Sequence, residues 1–145
     1  MPEDEYISEE RKQYEDLKIR RKIIDMRKYA LPLIKKWSVA EQKLLGNDIA
    51  ALMFEMQTVA CDLDQSYSPK TPLKKLDYLN LALKDNVTLA YELKYLKGDK
   101  SRNEWMRRSG EIGKMIGGLT KAVYGEEKLE STHNKKRHVH SKRPR

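Results

Sequence analysis

The residues with most scope for chemistry lie at the end of the chain, "STHNKKRHVHSKRPR". Residues 131–145 hold six cations (Lys135, Lys136, Arg137, Lys142, Arg143 and Arg145), three histidines and no acid. A flexible polycation of this kind neutralises phosphates and releases their counterions. With all six cations engaged on single-stranded RNA, the log–log salt slope would be about −4. Two other readings compete. The tail can be solvated surface that aids solubility, or it can bind a metal through His138-x-His140, which has no scaffold to fix its geometry.

"KIRRKIIDMRK" carries a second basic set. Arg21, Lys28 and Lys35 recur every seven residues, with Arg20 and Arg27 alongside. Facing away from a core, they would form a stripe able to track a phosphate backbone. Glu15, Asp16 and Asp25 are close enough to pair with them, which would leave only a solvated surface. Arg107 and Arg108 are similar candidates further along.

Catalytic patterns are poor. There is no P-loop, nucleotide-binding glycine loop or HExxH, and Gly117-Gly118 lies within a helical run and not after a strand. His133, His138 and His140 all sit in the tail, so no histidine base is held in a rigid pocket. Asp62 and Asp64, two apart on a helix, point in different directions. The expectation is a chain with no enzymatic activity, no cofactor and no metal.

Those cations need a scaffold, and the sequence describes one. Cys61 is the only cysteine, so no intrachain disulfide forms and a reducing compartment is expected. Its place beside Ala60 predicts a buried structural thiol. "MPEDEYISEERK" is too acidic and polar for a targeting signal. No apolar run approaches the roughly 18–20 residues of a membrane span. A soluble cytoplasmic protein is expected, with no membrane partner. Outside the tail, 24 basic residues face 22 acidic ones, so most of the net charge of +8 is the tail itself.

Helical spacing appears four times. The first run, Ser8 to Leu31, repeats Leu17, Ile24 and Leu31 every seven residues, widened by Ile19, Ile23, Met26 and Ala30. Pro32 predicts a kink there, with "LIKKW" as a further turn. The second run opens on the capping box Ser38-Val39-Ala40-Glu41 and continues through Leu45, Ile49, Leu52, Met56, Val59 and Leu63. "DQSYSPKTP" ends it.

The third run starts with Thr71 as N-cap and Pro72 at the first helical position. Its face is Leu76, Leu79, Leu83, Val87, Ala90 and Leu93, with Gly98 marking the end. The fourth opens on a second box, Ser101-Arg102-Asn103-Glu104. Its face is Trp105, Ile112, Met115, Ile116, Leu119 and Val123, and Gly125 is its stop. No strand period is visible.

Four long helices with short connections predict an all-α fold, an antiparallel up-down-up-down four-helix bundle. The bundle would occupy 1–125, and 126–145 would be a disordered basic tail.

Four glycines interrupt the last helix in "GEIGKMIGGLTKAVY". Each costs roughly 1 kcal/mol relative to alanine. Gly110, Gly113 and Gly117 fall on one stripe, with Gly118 beside them, so another backbone can approach closely. That other backbone is either a tight crossing within the chain or a second subunit.

"EIGKMIGGLTKA" resembles the final helix of the accessory variability determinant (Avd-like) proteins of diversity-generating retroelements. These fall in a wider group with the four-helix bundle proteins of ribosomal RNA intervening sequences. "KYALPLIKKWSVAEQKLLGNDI" is similar to the family's first turn, with Leu31, Pro32, Trp37, Lys43, Leu45, Gly46 and Ile49 in the matching places. "LKKLDYLNLALKDNVTLAYELKYL" resembles its third helix, including Leu89, Ala90, Leu93 and Lys94. Leu119 replaces a tryptophan that often follows the double glycine, and Thr88 replaces a common basic residue. The opening helix lacks the tryptophan of the intervening-sequence branch, so the retroelement branch is the better match.

The resemblance implies an accessory protein without catalysis that assembles as a homopentamer. Its partners would be a reverse transcriptase and its template RNA (or an RNA/DNA hybrid), in support of mutagenic copying. An RNA-binding bundle of the intervening-sequence type and a protein-only helical adaptor are the alternatives.

Overall fold

The computed structural model describes residues 3–65 and 68–137, with side chains described over 18–63 and 68–125. In chain order come α1 (Glu3–Lys35), α2 (Val39–Glu41), a π-helical turn (Gln42–Gly46), α3 (Asn47–Gln65), α4 (Lys70–Glu92) and α5 (Asp99–Arg137). Among the described residues there is no strand. The segments from α2 to α3 follow one another without a break, so the chain makes four rods.

Contacts between named residues set their directions. Arg27 meets Gln57, and Ile34 lies against Gly46, so α1 and α3 run oppositely. Lys22 meets Glu111 and Tyr29 meets Ser101, so α1 and α5 also run oppositely. Asn80 meets Ser109 and Lys70 meets Tyr124, which does the same for α4 and α5. The result is the expected up-down-up-down bundle.

One apolar core runs through it. α1 contributes Ile19, Ile23, Met26, Ala30 and Ile34; α3 contributes Ile49, Met53, Met56, Val59, Ala60 and Leu63. Leu76, Leu79, Leu83, Val87 and Ala90 come from α4, and Trp105, Ile112 and Ile116 from α5. Each large side chain fully buried there contributes about 1.5–3 kcal/mol over leaving it in water.

The first capping box forms. The Glu41 amide donates to Ser38 Oγ at 3.1 Å, and the Ser38 amide donates to Glu41 Oε1 at 3.0 Å. α1 continues past Pro32 to Lys35 and closes tightly. The Lys36 amide donates to the Leu33 carbonyl and the Trp37 amide to the Ile34 carbonyl, the i to i+3 pattern of a final 3₁₀ turn.

Several local expectations need correction. The α1 core face is the Ile19/Ile23/Met26/Ala30/Ile34 stripe, while Ile24 is half-buried and Leu31 exposed; Leu17 lies outside the described side chains. Thr71 is not the N-cap of α4, because the helix already includes Lys70 and is preceded by Pro69. Ser101 opens no second box, since α5 starts at Asp99 and Ser101 sits inside its first turn. Leu93 is exposed. Cys61 is exposed too, pointing away from the Ala60 face.

Gly98 does not end α4. The helix stops at Glu92, with Lys94 left-handed at φ 67°. The Tyr95 amide donates to the Ala90 carbonyl at 2.9 Å and the Lys94 amide to the Tyr91 carbonyl at 3.0 Å. That is a Schellman closure with lysine where glycine is usual. α5 runs through Gly125, the expected stop, to Arg137.

Candidate nucleic-acid interface

Helix α1 projects the first basic set, and neighbouring side chains divide it. The Arg21 guanidinium donates to Asp25 Oδ1 through Nε at 3.0 Å and Nη2 at 2.7 Å, one turn along the surface. That hydrogen bond holds the Asp25 carboxyl below its ordinary range. Arg27 turns toward α3, donating to Gln57 Oε1 at 2.7 Å with its guanidinium 5.4 Å from the Phe54 ring centroid. Arg20 is half-buried on the same side. Lys28 and Lys35 are exposed and make no ion pair among the described residues. The five therefore do not form one uniform stripe: Lys28 and Lys35 are open to an incoming phosphate, and Arg21 would have to leave Asp25.

The α1–α5 flank carries an ion network. Lys22 Nζ lies 3.1 Å from Glu111 Oε2. Arg107 bridges Glu104 and Glu111, and Arg108 also reaches Glu104. The Lys22 hydrogen bond lowers the Glu111 pKa, and the Arg107 hydrogen bond lowers that of Glu104. Arg107 is raised in turn by Glu104. Arg108 additionally lies 5.1 Å from the Tyr29 ring centroid. Both arginines are paired with acids of their own chain.

In the tail, Lys135, Lys136 and Arg137 fall on the last turn of α5, beyond the described side chains. Lys142, Arg143 and Arg145 lie outside the described residues, as do His138 and His140.

The glycine stripe is open. A Cβ built on Gly110, Gly117 or Gly118 would meet nothing within 4 Å. Only Gly113 is approached from within the chain, with Asn80 Nδ2 3.2 Å and Lys84 Nζ 3.8 Å from such a Cβ. Among the described residues, no tight intrachain crossing occupies the stripe at Gly110, Gly117 or Gly118. The glycine that an intrachain contact does require is Gly46, whose added Cβ would stand 2.9 Å from Ile34 Cγ2 and 3.3 Å from Trp37 Cε3. Its signals in the sequence were its place after Leu44 and Leu45 and among the positions that match the family's first turn.

On α4, Tyr78, Leu81 and Leu89 are exposed. They lie off the Leu76 to Ala90 face that the helical period marks as the core side. Among the described residues, no group of three or more metal-ligating side chains is present and no helix is long and apolar enough to cross a membrane. Compared with protein families, characterised proteins and solved structures, the chain matches none.

Proposed function

We propose that this chain is a non-catalytic accessory bundle of a diversity-generating retroelement. On this reading it self-associates as a homopentamer, binds a reverse transcriptase and carries structured template RNA on its cationic surfaces. The observation that supports it best is the open glycine stripe. Gly110 and Gly117 give up helix stability, yet none of the described residues of their own chain uses the space. Close approach by a second bundle would recover that loss as packing. Lys28 and Lys35 supply outward cations, and the resemblance of three ordered segments supplies the retroelement setting.

Two measurements test it. Light scattering should give a mass of several chains, and Gly110→Leu/Gly117→Leu should reduce it to one while the helical content stays. RNA binding should weaken steeply with salt, with the slope cut when residues 131–145 are removed. A monomeric wild-type protein that ignores RNA in dilute buffer rejects the proposal.

The protein-only adaptor is the second reading. What favours it is the internal pairing of Arg21, Arg107 and Arg108, which leaves fewer cations on the helices for phosphate. Association without any salt-sensitive RNA binding would select it.

A further inference from the structure

At the end of the bundle where α1 stops and α4 turns into α5, a half-open cleft of about 580 Å³ remains. Its apolar side is Leu33, Trp37 and Leu96, with Trp37 and Leu96 buried, and Tyr95 stands half-buried at an edge. The Trp37 and Tyr95 rings meet edge to face at 5.9 Å. Lys36 and Lys97 line the same cleft, from chain segments 61 residues apart in sequence. Lys35, Lys94 and Lys100 are their close neighbours in the chain, and all five are exposed.

The acids nearby are already engaged or outside the cleft. Glu41 is the only acid lining it, and its carboxylate accepts the Ser38 amide in the capping box. Asp99 accepts the Tyr91 hydroxyl, and the Arg102 guanidinium lies 4.3 Å from the Tyr91 ring centroid. Glu92 is exposed on the preceding helix end. None of the five lysines has an ion-pair partner among the described residues. Two of these lysines, Lys36 and Lys97, line one concavity together with an aromatic edge.

The geometry points to a nucleotide site: Lys36 and Lys97 take a phosphate, and a planar base lies in the cleft against Tyr95. A phosphate alone would not need this volume or the aromatic edge, and an apolar ligand would not need two lysines. The volume lies within the usual range for small-ligand clefts, and stacking of bases on aromatic side chains tolerates any sequence. Ser38 and Ser101, which also line the cleft, offer hydroxyls to the sugar or phosphate. The inference is independent of the retroelement reading. A free nucleotide and the 5′-phosphorylated end of a strand present the same chemistry.

Calorimetry of the full chain with 5′-AMP in low-salt buffer tests it. Saturable one-to-one binding is expected, with adenosine and inorganic phosphate each at least about 10-fold weaker. Lys36→Ala/Lys97→Ala should weaken AMP by about 10-fold or more, with an unchanged melting temperature. Lys114→Ala/Lys121→Ala, exposed cations away from the cleft lining, should leave AMP affinity as it was.

A preference for a 5′-phosphorylated oligonucleotide over its 5′-hydroxyl form would identify a strand end as the source; no preference, with AMP still bound, would identify a free nucleotide. Absence of AMP binding, or equal binding by the Lys36/Lys97 variant, overturns the site. Salt-sensitive RNA binding by a wild-type protein that does not bind AMP would show the site failing while the RNA reading stands.

Discussion

Asn80 and Ser109 exchange two hydrogen bonds across the contact between α4 and α5. Asn80 Nδ2 donates to the Ser109 carbonyl at 3.0 Å, and the Ser109 hydroxyl donates to Asn80 Oδ1 at 2.6 Å. Both residues are buried. A buried amide is costly without partners, so this pair favours one register of α4 against α5 over its neighbours. Ser109→Ala leaves Oδ1 without its donor and should destabilise the fold by about 1–3 kcal/mol. Urea unfolding of the variant measures it, and an unchanged midpoint would show that the pair does not hold the register.

The glycines should separate into two classes. Gly46→Ala forces a methyl into Ile34 and Trp37 and is expected to cost about 1–3 kcal/mol. Gly118→Ala meets open space and gains helix propensity, so stability should rise by up to about 1 kcal/mol. Thermal unfolding of both variants at one protein concentration gives the comparison, and shifts of the same sign would contradict it.

Lys94 carries a left-handed backbone that glycine adopts without strain. Lys94→Gly keeps both closing hydrogen bonds and removes the clash of Cβ with the backbone. A gain of about 0.5–1 kcal/mol is expected in chemical denaturation, part of the relief being offset by the freer unfolded chain.

Acid should weaken the α1–α5 flank. Asp25, Glu104 and Glu111 all have folded pKa values below their ordinary ones. Their contribution is therefore present above the ordinary carboxylate range and is lost as pH falls through the lowered folded values. The melting temperature should drop on acidification from about pH 5 to about pH 2. Glu111→Gln should flatten that drop, as should strong salt, because these pairs are exposed and screened. A wild-type profile that Glu111→Gln leaves unchanged would remove the network from the account.

What the sequence made legible was local or strongly periodic. The Ser38–Glu41 box needs only residues three apart, and the Leu76 to Ala90 face repeats without a rival. On α1 two apolar stripes overlap, and Leu17/Ile24/Leu31 reads as well as Ile19/Ile23/Met26/Ala30/Ile34; only packing against α3 and α5 chooses between them. Cation pairing was harder still, since Lys22 finds Glu111 at a separation of 89 residues. The convergence of Lys36 and Lys97 is likewise a product of the bundle's topology. Lys94 as a helix stop gave no signal, because the chain tolerates there a conformation that composition assigns to Gly98.

The π-helical turn at Gln42–Gly46 carries an arithmetic consequence. Its backbone bonds reach five residues along the chain where an α-helix's reach four, so the turn is wider and takes in a surplus residue. The surplus residue changes the angular phase between the Ser38 end of the rod and the stripe that begins at Ile49. Closing it as an ordinary α-helix with every residue kept would rotate everything before it by about 100°. Trp37 would then swing away from Gly46, and the wall shared by the first two rods would come apart. That wide turn is a built-in phase correction, and the sequence on either side is written to suit it.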